Sequence, residues 1–273
     1  MSRGQNSINV SKYQLFSWNK KNARIGQNSI NILKYLSLPV FIVVFWEIAS
    51  LKGWVTPYTM PSPYKIVSTL VASVKDFSLF TNIGASFVRV FGGFAIAAIA
   101  AIIIGIFTAL SKNFEIFTRL VIQILKPIPP IAWIPISILW FGIGETSKLF
   151  IIFMGAFFPI FINVVYGIKQ IDNRYVEVSK VFEIPNVKFI RKIVIPGALP
   201  SIMSGLRIGL GNAWICVVAA EMIAATKGIG YMLMDGRQLS QPDEVILAML
   251  LVGVIGKIMD DILGKIEHRM LYW

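Results

Sequence analysis

The chain has 273 residues, of which 56% are hydrophobic and 15% charged, with a mean hydropathy of +0.70 and a formal net charge of +12. A soluble domain carries roughly 25% charged residues, so the composition excludes an ordinary soluble fold and points to an all-α, polytopic membrane protein. A single cysteine (Cys216) excludes an intrachain disulfide, and a single histidine (His268) argues against a histidine-based metal site.

Residues 1–31 are polar and basic, rich in Asn, Ser and Lys, and are expected to form a cytoplasmic tail; they hold no apolar run of the kind a cleaved signal peptide needs. Residues 32–273 are read as one transmembrane domain. Apolar runs of about 20 residues predict membrane helices, and six are expected: roughly 32–51, 86–110, 120–141, 149–168, 198–225 and 245–266. Between the first two lies "GWVTPYTMPSPYKIV", a turn-rich segment that leads into a moderately amphipathic stretch. The second span is rich in small residues, which permits close helix packing.

With six spans both termini lie on one side. Placing them in the cytoplasm gives the inner segments 17 of the 26 Lys and Arg and the outer segments 6. This follows the positive-inside rule and accounts for the +12 without nucleic acid as a partner.

The third span, within "LKPIPPIAWIPISILWFGIG", contains Pro127, Pro129, Pro130 and Pro135. Each removes a backbone donor and crowds the preceding turn. In lipid such breaks are tolerated where the backbone is buried in protein or lines a wet cavity. Two readings stand: a kinked packing helix, or a mobile segment carrying Pro130 and Trp133 along a translocation path.

In the fifth span Gly205 and Gly209 form a small-xxx-small pair. Arg207, Gly211, Trp214, Val218 and Glu221 recur at helical spacing and share a face. Ionisable groups in membranes face the bundle interior or a cavity. Arg207 and Glu221 lie about 21 Å apart along a helix and cannot pair with each other. Arg207 is expected either to hold the inner half of the bundle through backbone carbonyls or to line the path with Trp214 and Glu221. Glu47 and Arg89 are candidates for an interhelical pair. Asp260 and Asp261 are expected to be solvated.

No ATP-binding loop of the G-x-x-x-x-G-K-[ST] type is present: "GVIGKI" (253–258) is too short in spacing and lacks the metal-binding hydroxyl. No general base, metal cluster or nucleophile has a plausible partner. The chain is therefore expected to have no catalytic residues, no metal and no cofactor of its own.

One stretch departs from the apolar background: "EVSKVFEIPNVKFIRKIVIPGALP", Glu177–Pro200, with six charged residues in sixteen positions. Tyr175, Val178 and Phe182 give one helical pattern and Val187, Ile190 and Val194 a second. Pro185 lies between them, and Pro196 and Pro200 are expected in the first turn of span five. This predicts a cytoplasmic helix-turn-helix over about 173–196. It could lie on anionic lipid or dock into a groove on a cytosolic protein.

The segment resembles the coupling loop of ABC-importer permeases, whose pattern is E-A-A, three residues, G, nine residues, I, one residue, L-P. Glu177 fills the first position, Val178 and Ser179 replace the alanines, and Ile193 and Ile195–Pro196 match the end. The glycine position is Glu183. That glycine ends the first helix with positive φ; with glutamate there, Pro185, two residues on, is expected to supply the break unless Glu183 itself takes a positive φ. "MPSPYKIV", "KPIPPIAWIPISILWFGIG" and "GLRIGLGNAWICVVAAEMIA" look like the nitrate/sulfonate/taurine-type subfamily, and the resemblance covers about residues 40–270.

The resemblance implies the permease subunit of a binding-protein-dependent importer in a prokaryotic plasma (inner) membrane. Its partners would be a second copy of the chain, two ATPase subunits that bind ATP and Mg, an extracytoplasmic solute-binding protein and membrane lipid. Glu177, Val178, Ser179, Phe182, Glu183 and Pro196 would couple it to the ATPase. The solute would be nitrate, a sulfonate, taurine, bicarbonate or another small anion, or a vitamin precursor. A stand-alone secondary transporter or channel is the rival, and a membrane enzyme a more distant one.

Overall fold

The computed structural model describes residues 37–271. The expected basic tail, residues 1–31, and the first five residues of the expected first span lie outside them. The described residues form helices and connecting turns, with no strand among them. The chain divides into two compact units, Met1–Val67 and Ser68–Trp273.

In the first unit, helix α1 spans Ser37–Leu51. It ends at Gly53, whose φ of 71° suits a residue without a β-carbon. The chain folds back so that the Trp54 amide donates to Ala49 O at 3.0 Å. Helix α2, Pro63–Lys75, starts in this unit and runs into the second. Pro63 supplies a preset φ at its first position. Ser62 Oγ accepts from the Lys65 amide at 3.2 Å, and the Glu47 carboxylate accepts from the Tyr64 amide at 3.3 Å. Glu47 thus caps α2. Arg89, the partner expected for Glu47, is itself held by two other carboxylates, described below.

The second unit is built on α3 (Ser78–Leu110), α4 (Lys112–Leu125), α5 (Ile134–Phe141), α6 (Glu145–Lys169), α7 (Asn173–Val181), α8 (Asn186–Phe189), α9 (Ile195–Ala224), α10 (Ile229–Gln238) and α11 (Pro242–Met270). Helix α6 is the central element. Of its most apolar window 56% is buried, against 28% for α3, whose Val88, Phe91, Ile99 and Phe107 are exposed. Small residues bring its neighbours close. A β-carbon at Gly93 of α3 would lie 2.6 Å from Ile152, and one at Gly209 of α9 would lie 2.7 Å from Ile160. The small-xxx-small pair of span five therefore faces α6: Gly205 would meet Asn163 at 2.7 Å. Asn163 itself satisfies its amide on Pro159 O at 2.8 Å.

The proline cluster makes a corner. Helix α4 and the segment Pro130–Phe141 are bent by 91° to one another. Pro130–Trp133 is a tight 3₁₀ turn. The preceding residues cannot continue α4, since Pro127, Pro129 and Pro130 lack amide donors. Among the described residues three helices (α3, α6 and the one containing α9) are long and apolar enough to cross a membrane, or four if the bent pair counts as one crossing. Helix α11 is long enough, at 29 residues, but its apolar stretch carries Lys257, Asp260 and Asp261.

The expected helix-turn-helix is half confirmed in form. Helix α7 is separate, but the second short helix is not. Residues Val187–Ile223 run as one helix, in which a π-helical turn, Ile190–Val194, joins α8 to α9. Pro200 consequently lies inside the helix rather than in its first turn. The wide turn directly precedes Pro196, where a missing amide donor disturbs the ordinary ladder.

Candidate translocation and coupling sites

The hairpin of α7 and α8 is organised by its turn. Asp172 Oδ1 accepts from the Arg174 amide at 2.9 Å and starts α7. At its end Glu183 has φ 48°, and the Ile184 amide bonds back to Ser179 O at 2.9 Å. This is the closing geometry that usually employs glycine. The break therefore belongs to Glu183, with Pro185 following it. Ser179 is buried. Glu177 and Val178 are exposed, and Phe182 and Val181 are 73% and 79% exposed. Val187, across the turn, is exposed as well. Apolar side chains thus stand free on a hairpin flanked by Lys188, Arg191 and Lys192. Pro196 lies behind it, lining a hollow of about 480 Å³ with Tyr175, Lys192 and Pro200.

Above this hairpin α9 meets α11 along a groove of about 490 Å³, lined by Arg207, Gly211, Trp214, Val252, Gly256 and Asp260 among others. Trp214 fixes its ring by donating from Nε1 to Val252 O at 2.9 Å. Arg207 does not rest on backbone carbonyls. Its guanidinium grips Asp260 by two bonds, Nε to Oδ1 at 2.6 Å and Nη2 to Oδ2 at 2.8 Å. Nη1 reaches Glu267 Oε2 at 3.3 Å, and Ser204 Oγ donates to the other Glu267 oxygen at 3.1 Å. Residues 204 and 207 on one helix face 260 and 267 on the other, as the helical period requires. Asp260 keeps 47% of its side chain exposed while making this pair, so it is both solvated, as expected, and bound to Arg207. Asp261 turns away to Lys257.

The opposite end of α9 holds a second cluster. The Glu221 side chain is fully enclosed. It accepts from Ser86 Oγ at 2.8–2.9 Å, Arg89 Nη1 at 2.7 Å and the Gly230 amide at 3.0 Å. Gly228, with φ 135°, passes directly over this carboxylate, and any β-carbon there would collide with it. Its amide is taken by Asn82 Oδ1, and the Ile229 amide by Ser86 Oγ. Arg89 also donates to Lys227 O at 2.6 Å and, through Nε and Nη2, to both oxygens of Glu145 at 2.6 and 2.9 Å. Lys148 Nζ shares Glu145 at 2.9 Å. A buried charge must be paired and hydrogen-bonded to be tolerated, and this cluster balances two cations against two carboxylates. Beside it on α10, Tyr231 donates to Asp235 Oδ1, whose negative charge pushes the phenol up from its usual range.

The five pathway candidates therefore separate. Arg207 and Trp214 share the α9–α11 groove. Glu221 belongs to the buried cluster. Trp133 packs its ring against Ile134, Ile151, Cys216 and Ala220, with Phe150 edge-on at 6.2 Å, and Pro130 opens the 3₁₀ turn. Sequence reasoning missed Ser86, Glu145, Lys148 and Glu267. The one available signal was Glu145 and Lys148 spaced three apart at a helix start just after Gly142 and Gly144. Among the described residues no group of three or more His, Cys, Asp or Glu could hold a metal ion.

Long apolar helices, several of them able to cross a membrane and packed closely through glycines, define a membrane protein. Residues 101–271 match the family described as binding-protein-dependent transport system inner membrane component, and the chain belongs to that family. It is a transport permease component, not an enzyme. It is 37% identical to a putative aliphatic sulfonates transport permease protein of Bacillus subtilis, over 88% of this chain and 87% of that one. It is 33% identical to a nitrate import permease protein of Synechocystis, over 86% and 88%. In fold it is similar to a chain of an inward-facing methionine ABC transporter, with TM-score 0.59 at 18% identity, covering 71% of this chain and 94% of that one.

Proposed function

We propose that the chain is the six-span permease subunit of an ATP-driven importer, with both termini in the cytoplasm, working as a homodimer by alternating access. Two ATPase subunits bind ATP and Mg and dock on the α7–α8 hairpin, and an extracytoplasmic binding protein delivers the solute. The observation that carries this reading is the hairpin itself. It presents Val178, Val181, Phe182 and Val187 to solvent, an apolar patch on a charged rim that fits a groove on a partner protein. It is also continuous with α9 through the π-helical turn, so force applied there enters the bundle directly. The small-anion solutes named for the relatives make a small anion the favoured cargo. The groove carrying Arg207 and Trp214, together with the corner at Pro130 and Trp133, is the proposed path.

The test is co-purification. The assembled transporter should retain its ATPase in stoichiometric amount, while Glu177→Ala and Phe182→Ala should leave the chain in the membrane, weaken that association and uncouple ATP hydrolysis from uptake. Full uptake by both variants, or uptake by the purified chain without ATP, would overturn the reading. A thermal-shift screen of the cognate binding protein against sulfonates, nitrate and bicarbonate identifies the solute.

A further inference from the structure

The buried cluster contains an imbalance of exposure that bears on ligand binding. Arg89 and Lys148 come from different helices, and their side chains are 9% and 5% exposed; the carboxylate they share, Glu145, is 58% exposed. Glu145 is the first residue of α6. It is the one member of the cluster that can swing into solvent without carrying a buried side chain along. Its two oxygens are held by a guanidinium fork and an ammonium, the arrangement by which proteins recognise planar or tetrahedral oxyanions.

We propose that Arg89 and Lys148 form an exchangeable oxyanion site in which the Glu145 carboxylate acts as the resident occupant. Glu221 stays in place when Glu145 leaves, because Ser86, Arg89 and the Gly230 amide enclose it. It neutralises one of the two cations. The site then carries one net positive charge and takes a small monoanion with two or more oxygens, such as nitrate, bicarbonate or a sulfonate group. A dianion would leave a charge uncompensated, and a halide is a single acceptor atom that does not span the guanidinium fork and the Lys148 ammonium as two oxygens do. The first turn of α6 adds the favourable end of a helix dipole. Ser147 contributes nothing, since its hydroxyl is turned back to Gly144 O. A role in solute entry rests on the importer reading and its orientation, which puts this end of the bundle outside; binding itself does not.

The experiment is thermal unfolding of the detergent-purified full chain with sodium nitrate or methanesulfonate, compared with sodium chloride at equal ionic strength. The wild-type chain should show a saturable stabilisation by the oxyanions only. Glu145→Gln and Glu145→Ala should reach saturation at lower concentration, because the internal competitor is gone. Adding Lys148→Met should weaken the response at least about tenfold, as expected for losing a charge-assisted hydrogen bond. An equal response to chloride, an unchanged response in the Lys148→Met variants, or no saturable response in any variant that folds would each overturn the proposal. Should the Glu145 variants not fold, the wild-type chain and Lys148→Met alone decide it. ATPase recruitment does not use this site, so a negative result here leaves the importer reading standing, and failure to recruit an ATPase leaves anion binding standing.

Discussion

The two ends of α9 use the same chemistry under different conditions. At one end Arg89 reaches across from α3 to Glu221, whose side chain has no exposure. At the other, Arg207 reaches from α9 to Asp260 of α11, and both side chains remain more than a third exposed. Each is an arginine–carboxylate contact between helices. Burial makes the first a fixed strut, because breaking it strands a charge away from water. Exposure makes the second releasable, because water and salt can replace either partner. The two contacts therefore differ in what it costs to break them, while the glycines around Arg207 keep that part of α9 packed on α6.

The sharpest way to break this comparison is at the buried end. Glu221→Ala leaves Arg89 short of a partner and strips the acceptor from Ser86 and the Gly230 amide. The expected cost is about 3–5 kcal/mol, read as a large fall in melting temperature or loss of purified protein. A near-neutral result would show that the strut is not structural. At the exposed end, Asp260→Asn should change stability little in moderate salt, and the small cost should shrink further as salt is raised; a collapse of stability there would make the two ends equivalent. The smallest effect is expected at the hairpin. Glu183→Gly removes the cost of holding a side chain at positive φ, about 1 kcal/mol or less after the flexibility glycine adds. Limited proteolysis should show fewer cuts between α7 and α8, and more cuts would place the strain elsewhere.

Features set by local chemistry were readable from the amino-acid sequence. The proline run stops α4, and Gly205 with Gly209 admits a neighbouring helix. The turn at Glu183 was localised to two candidate residues, because a helix end there needs either positive φ or a proline. Partner choice was not readable. Arg89 was singled out as a candidate for an interhelical pair, but its carboxylates lie 56 and 132 residues away, and helical spacing says only which face a residue occupies. Asp260 is exposed as expected, but its partner was hidden for the same reason: Arg207 sits on another helix. The fusion of the second hairpin helix with span five was hidden by Pro196 and Pro200. Two prolines so close together read as a boundary, and only a wide turn ahead of them allows the helix to pass through.

That fusion has a mechanical consequence. A helix of 37 residues, Val187–Ile223, is about 55 Å long. Tilting such a rod by ~5° about its Glu221 end sweeps its Val187 tip through ~5 Å, close to the rise of one helical turn. Under the proposed importer reading, a modest approach of two docked ATPase subunits would be transmitted as a stroke long enough to shift one helix past its neighbour by a full ridge. No residue along the shaft needs to leave its helical conformation, and the π-helical turn near the tip supplies the compliance.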